Sequence, residues 1–233
     1  LMDGRMALQH RLDLARVKIV QGDTDQVPFG RGTYASRSSM VGGNALKAAA
    51  DALIEKARPL AAHLMEAAPP DVAFKDGKFQ VVGTDRAMPF MVVAAAFYRP
   101  GGLPKEFGLG LEAAGSFATE PPNFPNACHV CEVEVNPETG AVAIDRYTIV
   151  DDVGRALNPM ICEGQLHGGL AQGIGQALWE HVVYDRQSGQ LLSGTFGDYC
   201  MPRADDFSAF TVALEEVPCT TNPLGVKGLG EVG

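Results

Sequence analysis

The pattern of apolar and polar positions predicts two long helices and one shorter helix. Residues 43–67 carry apolar side chains three or four positions apart, which is the spacing of one buried helix face. These side chains are Leu46, Ala50, Leu53, Ala57, Leu60 and Leu64. Pro59 should kink or divide this helix, because proline lacks the backbone donor and crowds the preceding turn. Further helices are predicted over 161–180 and 88–98.

Alternating positions and turn residues predict several short strands. Val72–Phe74 and Phe79–Val82 flank Asp76-Gly77, a dipeptide that favours a tight hairpin turn. A second hairpin joins 129–135 to 141–150. The remaining predictions are strands over 17–20, 111–117 and 209–217 and a hairpin over 181–193. Because helices and hairpins mix without a regular βαβ alternation, the pattern predicts an α+β fold.

Length and charge exclude two classes of protein. The chain has 233 residues and a formal net charge of −9, a surface charge that repels nucleic-acid backbones. Its sequence has no apolar run that approaches the ~20 residues required by a membrane helix. We therefore expect neither a nucleic-acid-binding nor a transmembrane protein. At roughly 100–200 residues per domain, the length accommodates one large or two small domains.

The chain ends and the cysteines add further expectations. The chain begins at Leu1 and stops within a glycine-rich run at 228–233, which predicts a fragment of a longer protein. Five cysteines without framework spacing favour a reducing, cytoplasmic compartment. Cys128 and Cys131 fall on a predicted strand, where residues three apart point to opposite faces. A strand is therefore favoured over a metal or redox pair.

Two acidic pairs favour ordinary turn chemistry. Asp23 and Asp25 resemble the start of a calcium loop, but the later ligands and the bidentate glutamate of such a loop are missing. Asp151-Asp152 ends a predicted strand and is interpreted as a solvated turn or a helix-capping pair. No residue of the chain is predicted to bind a metal ion.

A polar loop precedes the first predicted helix and has the chemistry of an anion site. Gly30 and Gly32 allow close backbone approach, and the helix start adds free N–H groups that favour an anion. Hydroxyl groups and one guanidinium can donate hydrogen bonds to phosphate. These donors are Thr33, Ser36, Arg37, Ser38 and Ser39. A hydroxyl-rich helix cap explains the same residues equally well, so both interpretations stay open.

The helix predicted over 161–180 is rich in glycine. Each interior glycine costs roughly 0.5–1 kcal/mol of helix stability relative to alanine. The glycines are Gly164, Gly168, Gly169, Gly173 and Gly175. Close approach of a ligand or of another backbone would offset this cost. The alternative is tight helix packing with solvated amides at Gln165, Gln172 and Gln176.

Near the end of the chain, Glu231 is surrounded in sequence by glycines and apolar residues. A carboxylate that loses hydration in such a setting becomes a stronger base, which suits a general base. Lys227 could pair with it and cancel this effect. On spacing alone, an ordinary glutamate on an exposed glycine-rich turn is the simpler interpretation.

Several segments together resemble one known family. They are Gly22–Ser39, Asn158–Gly175 and Asn222–Glu231, with Val150–Arg155 and Asp198–Ala204 matching in the same order. The chain resembles the molybdopterin-binding subunit of the xanthine dehydrogenase and aldehyde oxidase family, most of all the carbon monoxide dehydrogenase large subunits. The resemblance implies that 1–233 is a C-terminal fragment of the molybdenum-cofactor-binding domain, with sub-lobes 1–120 and 121–233.

What the resemblance implies is a molybdenum hydroxylase. Its cofactor would be molybdopterin carrying molybdenum, in the cytosine dinucleotide form of bacterial members. Carried over by position, Glu231 matches the catalytic glutamate and would be the base that activates the attacking oxygen. Gln165 matches a glutamine that contacts the cofactor near the metal. The dinucleotide end would be held by Gly32, Thr33, Tyr34, Ser36, Arg37 and Ser38.

The same resemblance implies the reaction and the partners. An electron-poor carbon of an aldehyde, an N-heteroaromatic, a purine or carbon monoxide would be hydroxylated, with water as the oxygen source. Electrons would leave through an iron–sulfur subunit and an FAD subunit, in a dimer of heterotrimers. None of the five cysteines matches the copper-binding cysteine of the carbon monoxide branch. The competing hypothesis is a non-catalytic anion- or nucleotide-binding or assembly module that uses Gly32–Ser39.

Overall fold

The chain folds into two compact units. The computed structural model describes residues 15, 17–27, 30–99, 101, 103–119 and 121–232. The first unit contains the described residues of Leu1–Gly32 and Ser38–Glu120, and the second contains those of Thr33–Arg37 and Pro121–Gly233. The short segment Thr33–Arg37 thus belongs to the second unit, although it immediately precedes the first helix in sequence.

The first unit is built around helix α1, Gly43–Leu64, which follows a π-helical turn over Ser38–Gly42. The helix continues through Pro59, so the predicted division at this residue is wrong. Pro59 is exposed, and burial of another face of the helix offsets the lost backbone hydrogen bond. That face shares Ala57 and Leu60 with the predicted stripe, whereas Leu46 and Leu64 of the stripe are 46% and 39% exposed. Its buried members are Ile54, Ala57, Leu60, Ala61 and Ala62.

A three-stranded antiparallel sheet packs on α1. Its strands, in spatial order, are β1 (Val72–Lys75), β2 (Lys78–Val81) and β3 (Ala87–Pro89). Asp76 and Gly77 join β1 to β2 with positive φ values of 50° and 75°. A type I′ hairpin turn requires this backbone at both central positions, so the turn residues account for the pairing of β1 with β2.

Helix α2, Phe90–Ala96, follows β3 and completes the core of the first unit. The fully buried side chains of this core include Ala57, Leu60, Val72, Phe79, Val93 and Phe97. Residues 17–20 and 111–117 do not form strands, contrary to prediction. A short alternating run becomes a strand only when a neighbouring strand accepts and donates its ladder hydrogen bonds.

The second unit contains a sheet of mixed direction. Its spatial order is β4 (Asn126–Val135), β5 (Val142–Asp152) and β6 (Phe210–Glu215). β5 pairs antiparallel with β4 and parallel with β6. The chain between β5 and β6 includes helix α3, Pro159–Leu178. The order β5–α3–β6 is therefore a crossover between parallel strands, which the sequence pattern did not predict.

Helix α3 has a well-defined start. The Asn158 side chain accepts a hydrogen bond from the Ile161 backbone N–H at 3.3 Å, and Pro159 takes the first helical position, where its missing donor costs little. The apolar side of α3 packs on the sheet. The buried residues of this core are Ile149, Leu166, Leu170 and Ile174. This core fixes β5 and α3, which carry several of the candidate residues.

The two units together are of the α+β class, as predicted. Cys128 and Cys131 lie within β4 and are exposed. Residues 181–193 contribute an isolated bridge between Tyr184 and Leu191. Among the residues that the structure describes, no three metal-ligating side chains converge. In the same part of the chain, no helix combines the length and apolarity that crossing a bilayer requires.

Candidate active site

The glycine-rich end of the chain is fixed to the end of β5. The buried Asn222 side chain holds its turn, because it accepts from the Val226 N–H at 3.2 Å and donates to the Val226 carbonyl at 2.8 Å. Val226 in turn forms a β-bridge with Gly154. A Cβ atom on Gly154 would lie 2.4 Å from the Gly225 carbonyl oxygen. This close approach therefore requires glycine at position 154.

Lys227 forms a partly buried ion pair with Asp152. Asp152 also accepts hydrogen bonds from the N–H groups of Gly154 at 2.8 Å and Val217 at 3.2 Å. Burial alone would raise the pKa of Asp152, but the hydrogen bonds from Lys227 and these N–H groups outweigh it and hold the pKa below its ordinary value. Lys227 is therefore committed to Asp152, and the pairing with Glu231 considered from the sequence does not form.

Glu231 is held by a residue that is distant in sequence. The Ser36 hydroxyl donates a hydrogen bond to Glu231 Oε2 at 2.9 Å. A Cβ atom on Gly228 would lie 3.0 Å from Ser36 Cβ, and one on Gly230 would lie 3.1 Å from Ser36 Oγ. The two glycines therefore let the segments approach. Glu231 is exposed, so the loss of hydration expected from its sequence neighbours is not found in this structure.

The segment Thr33–Arg37 has an uncommon backbone. Ala35 and Ser36 both have positive φ values, 50° and 51°, and the Arg37 N–H donates to the Tyr34 carbonyl at 3.4 Å. The Arg37 guanidinium lies 3.8 Å from the centre of the Tyr34 ring, a cation–π contact. The turn thus brings four of the predicted cofactor-binding residues into the second unit.

The other predicted binding residues lie elsewhere. Gly32, with a φ of 71°, and Ser38, at the start of the π-helical turn, belong to the first unit. Gln165 is exposed in the second turn of α3. The structure, in which all three are described, shows no hydrogen bond between Gln165 and the Ser36–Glu231 pair.

The glycines of α3 serve two different purposes. Cβ atoms on Gly164 and Gly168 would meet no atom of the described residues within 4 Å. A Cβ atom on Gly175 would lie 2.7 Å from Pro202. The last glycine is therefore explained by tight packing, whereas the first two leave an open helix face that a ligand can approach closely.

Asp151 is a buried residue whose environment the sequence analysis missed. Its side chain is 0% exposed, and neither carboxylate oxygen has a hydrogen-bond partner among the described residues. Burial, together with the neighbouring charge of Asp152, raises the pKa of Asp151 to about 6. The expected solvated turn or helix cap is therefore wrong. The signal was present, since Asp151 follows the buried Ile149 by two positions and so shares its face of β5.

The chain is similar to known proteins over most of its length. A family model described as a molybdopterin cofactor-binding domain matches residues 6–208. The chain is 35% identical to the gamma subunit of the 6-hydroxypseudooxynicotine dehydrogenase complex of Paenarthrobacter nicotinovorans, covering 93% of this chain and 27% of that protein. It is 36% identical to the carbon monoxide dehydrogenase large chain of Hydrogenophaga pseudoflava, covering 92% of this chain and 26% of that protein.

A solved structure extends the comparison to the fold. Carbon monoxide dehydrogenase from Oligotropha carboxidovorans matches with a TM-score of 0.82 and 34% sequence identity, covering 90% of this chain and 26% of that one. The chain spans about a quarter of the length of the relatives that it matches.

Proposed function

The chain belongs to the molybdopterin cofactor-binding family, and from that premise we propose that it is part of the catalytic subunit of a molybdenum hydroxylase. The observation that carries the proposal is the hydrogen bond between Ser36 and Glu231. It joins the segment assigned to cofactor binding to the residue assigned to catalysis. Likeness to two dehydrogenase subunits supports the same reaction class. Because the chain spans about a quarter of their length, the activity of the complete protein is part of the proposal.

The residues present fit a pterin dinucleotide cofactor. The open face at Gly164 and Gly168 leaves room for a flat ligand against the backbone of α3. The segment Thr33–Arg37 offers hydroxyl groups and a guanidinium, the donors that bind phosphate oxygens most strongly, and it contains no acidic side chain. Both halves of such a cofactor, the ring system and the phosphates, therefore find suitable chemistry in the chain.

The proposed roles follow from these positions. The dinucleotide end, in the cytosine form, is held by Gly32, Thr33, Tyr34, Ser36, Arg37 and Ser38. Gln165 contacts the cofactor near the metal. When bound, the cofactor supplies the two-electron redox chemistry by which an electron-poor carbon is hydroxylated with oxygen from water. The chain itself binds the cofactor, orients it and moves a proton.

Glu231 is the proposed general base. Ser36 donates to Oε2, and Oε1 receives no hydrogen bond from the described residues, so Oε1 is available to accept a proton. Lys227 is held by Asp152 and does not neutralise this carboxylate. Since Glu231 is exposed in this structure, we propose that the rest of the complete protein covers it, because proton transfer to a positioned base is most effective where water is excluded.

The substrate is proposed to be a small molecule with an electron-poor carbon: an aldehyde, an N-heteroaromatic compound, a purine or carbon monoxide. The two relatives are named for different substrates, 6-hydroxypseudooxynicotine and carbon monoxide. Electrons are proposed to pass to an iron–sulfur subunit and an FAD subunit, in a dimer of heterotrimers. The names of the relatives, a gamma subunit of a complex and a large chain, support a multi-subunit enzyme.

The decisive experiment replaces Glu231 by glutamine in the complete enzyme. Glutamine keeps the size of the side chain and removes the basic oxygen, so turnover per molybdenum should fall at least ~10²-fold. The matched control is Glu138→Gln, because Glu138 lies exposed in the turn between β4 and β5. Normal turnover of the molybdenum-loaded Glu231→Gln enzyme would remove the assigned role. A purified protein that carries nucleotide but no molybdenum would favour the non-catalytic binding module instead.

A further inference from the structure

We infer that Ser36 is the positioning residue of the general base: its hydroxyl holds Glu231 Oε2 so that Oε1 faces the reacting group. This inference rests on the proposed function of Glu231. It changes the role expected of the Ser36 side chain, which the family resemblance assigned to the cofactor. A seryl hydroxyl has one proton to donate. While that proton is given to Glu231 at 2.9 Å, the Ser36 side chain cannot donate to a phosphate, and the cofactor is left with the other donors of the segment.

The Ser36–Glu231 contact depends on an uncommon backbone conformation at Ala35 and Ser36. Ala35 and Ser36 both adopt positive φ values, 50° and 51°, a conformation that residues with a Cβ atom rarely adopt. Neither residue is a glycine or an asparagine, so local preference does not produce this turn. Because such conformations persist where surrounding structure imposes them, the turn is maintained by what packs on it.

The packing partners are the glycines that precede Glu231. The Cβ positions of Gly228 and Gly230 fall 3.0 Å from Ser36 Cβ and 3.1 Å from Ser36 Oγ, too close for a side chain without displacement. Glycine at both positions therefore allows the turn to lie directly on the segment that carries the base. With glycine at both positions, no side chain of this segment displaces the Ser36 hydroxyl, which lies at hydrogen-bond distance from the Glu231 carboxylate.

The other groups that could orient Glu231 are occupied. Lys227 is paired with Asp152, and Arg37 stacks on the Tyr34 ring. Within the described residues, Ser36 is the hydrogen-bond partner of Glu231. A base oriented by one donor depends strongly on it, since a misplacement of about 1 Å in a catalytic group costs up to ~10²-fold in rate.

The experiment removes the hydroxyl without disturbing the turn. Ser36→Gly in the complete enzyme suits the positive φ and should lower kcat per molybdenum about 10- to 100-fold, with KM and molybdenum content unchanged. Ser36→Ala should give the same loss of kcat and provides the measurement if the glycine variant is poorly folded. Ser188→Ala is the matched control, because Ser188 Oγ also donates to a carboxylate, Asp185 Oδ1, at 2.6 Å. It should leave kcat unchanged.

Two further measurements separate positioning from other roles. In a Glu231→Gln background, Ser36→Gly should have no additional effect on kcat, because a residue that acts through the base has nothing left to position. In a crystal structure of the cofactor-free Ser36→Gly protein, the Glu231 carboxylate should lose its single orientation. A carboxylate that stays in place would overturn the inference.

The outcomes also distinguish this inference from the proposed function. If Ser36→Gly lowers molybdenum content but leaves kcat per molybdenum normal, the hydroxyl serves the cofactor and the inference is wrong. If alanine impairs the enzyme and glycine does not, the backbone and not the hydroxyl is responsible, which also contradicts it. If Glu231→Gln keeps normal turnover, the proposed function itself fails, whatever the Ser36 variants do.

Discussion

Two carboxylates of the second unit, Asp151 and Glu231, occupy opposite environments. Asp151 is 0% exposed and has no hydrogen-bond partner among the described residues, whereas Glu231 is exposed and accepts a hydrogen bond from Ser36 at 2.9 Å. Burial raises the pKa of Asp151 to about 6. A perturbed pKa is often a sign of a functional group. Here, however, the group with the perturbed pKa is buried, and the exposed, hydrogen-bonded group is the one proposed to act as the base.

The difference shows that a perturbed pKa does not by itself mark the proposed base, because Asp151 is buried without a hydrogen-bond partner among the described residues, whereas Glu231 is exposed and hydrogen-bonded. Asp151 sits at the end of β5, beside the Asp152–Lys227 ion pair, and its effect is on stability. Glu231 sits at the end of the segment that this strand anchors.

The largest effect is expected from Lys227→Met. The change leaves Asp152 partly buried and without its cation, next to Asp151, and breaking such a pair costs about 3–5 kcal/mol. Faster hydrogen–deuterium exchange in β5 and α3 of the complete protein would report this loss. Lys47→Met is the control, because Lys47 pairs with the exposed Asp51 at 2.7 Å and such helix pairs contribute only about 0.5 kcal/mol. Equal effects of the two changes would contradict the prediction.

A smaller effect with a defined pH dependence is expected from Asp151→Asn. The folded pKa of Asp151, about 6, lies above its ordinary value of 3.8. Its carboxyl therefore favours folding below pH ~3.8, and this contribution is lost as the pH rises through about 6. We compare the free energy of unfolding of the asparagine variant with that of the natural protein at each pH. Between pH 3.5 and pH 7.5 this difference should shift by about 2–3 kcal/mol in favour of the variant.

Urea unfolding at the two pH values, followed by the fluorescence of Trp179, measures this change, because Trp179 packs on Phe207 in the same core. Turnover should not respond to Asp151→Asn, since this carboxyl is buried and has no access to substrate. A pH-independent difference in stability would show that Asp151 ionises in the folded protein as easily as in the unfolded chain. A fall in turnover would indicate that Asp151, like Glu231, contributes to activity, which would contradict the prediction.

The smallest effect is expected from Gly230→Ala. The new methyl group would lie 3.1 Å from Ser36 Oγ, so the hydroxyl must move by a few tenths of an ångström. A shift of that size should lower kcat per molybdenum about 3- to 10-fold, less than removal of the hydroxyl. The control for kcat is Gly197→Ala, because the new methyl group would lie in ordinary contact, 3.5 Å from Thr195 Oγ1. An unchanged kcat in Gly230→Ala would show that the position of Ser36 is not critical.

The conformation of a region can be predicted from sequence when the residues that determine it lie close together in the chain. The turn at Asp76-Gly77 has positive φ values that its own residues favour, so the sequence predicts it. The same backbone at Ala35 and Ser36 has no such local signal, and the turn lies against glycines almost two hundred positions away. No periodicity or dipeptide preference reports a contact of that kind.

The candidate site shows the same limit. The glycine-rich surroundings of Glu231 suggested a dehydrated base, but its exposure contradicts that picture. Only the family resemblance singled it out from an ordinary turn glutamate. Asp151 was predictable, since strand alternation places it on the buried face with Ile149. The pairing of Lys227 with Asp152 was not, because it depends on the bridge between Gly154 and Val226.

The separation of Ser36 and Glu231 by 195 positions also bears on the order of folding. The β4–β5 hairpin closes a short loop, while the Ser36–Glu231 contact closes a loop of nearly two hundred residues and therefore carries a larger entropy cost. We therefore expect this contact to form after the sheet of the second unit and the segment anchored to β5 are in place. A partly folded chain would accordingly lack the Ser36–Glu231 hydrogen bond, and with it the orientation that we propose for the general base.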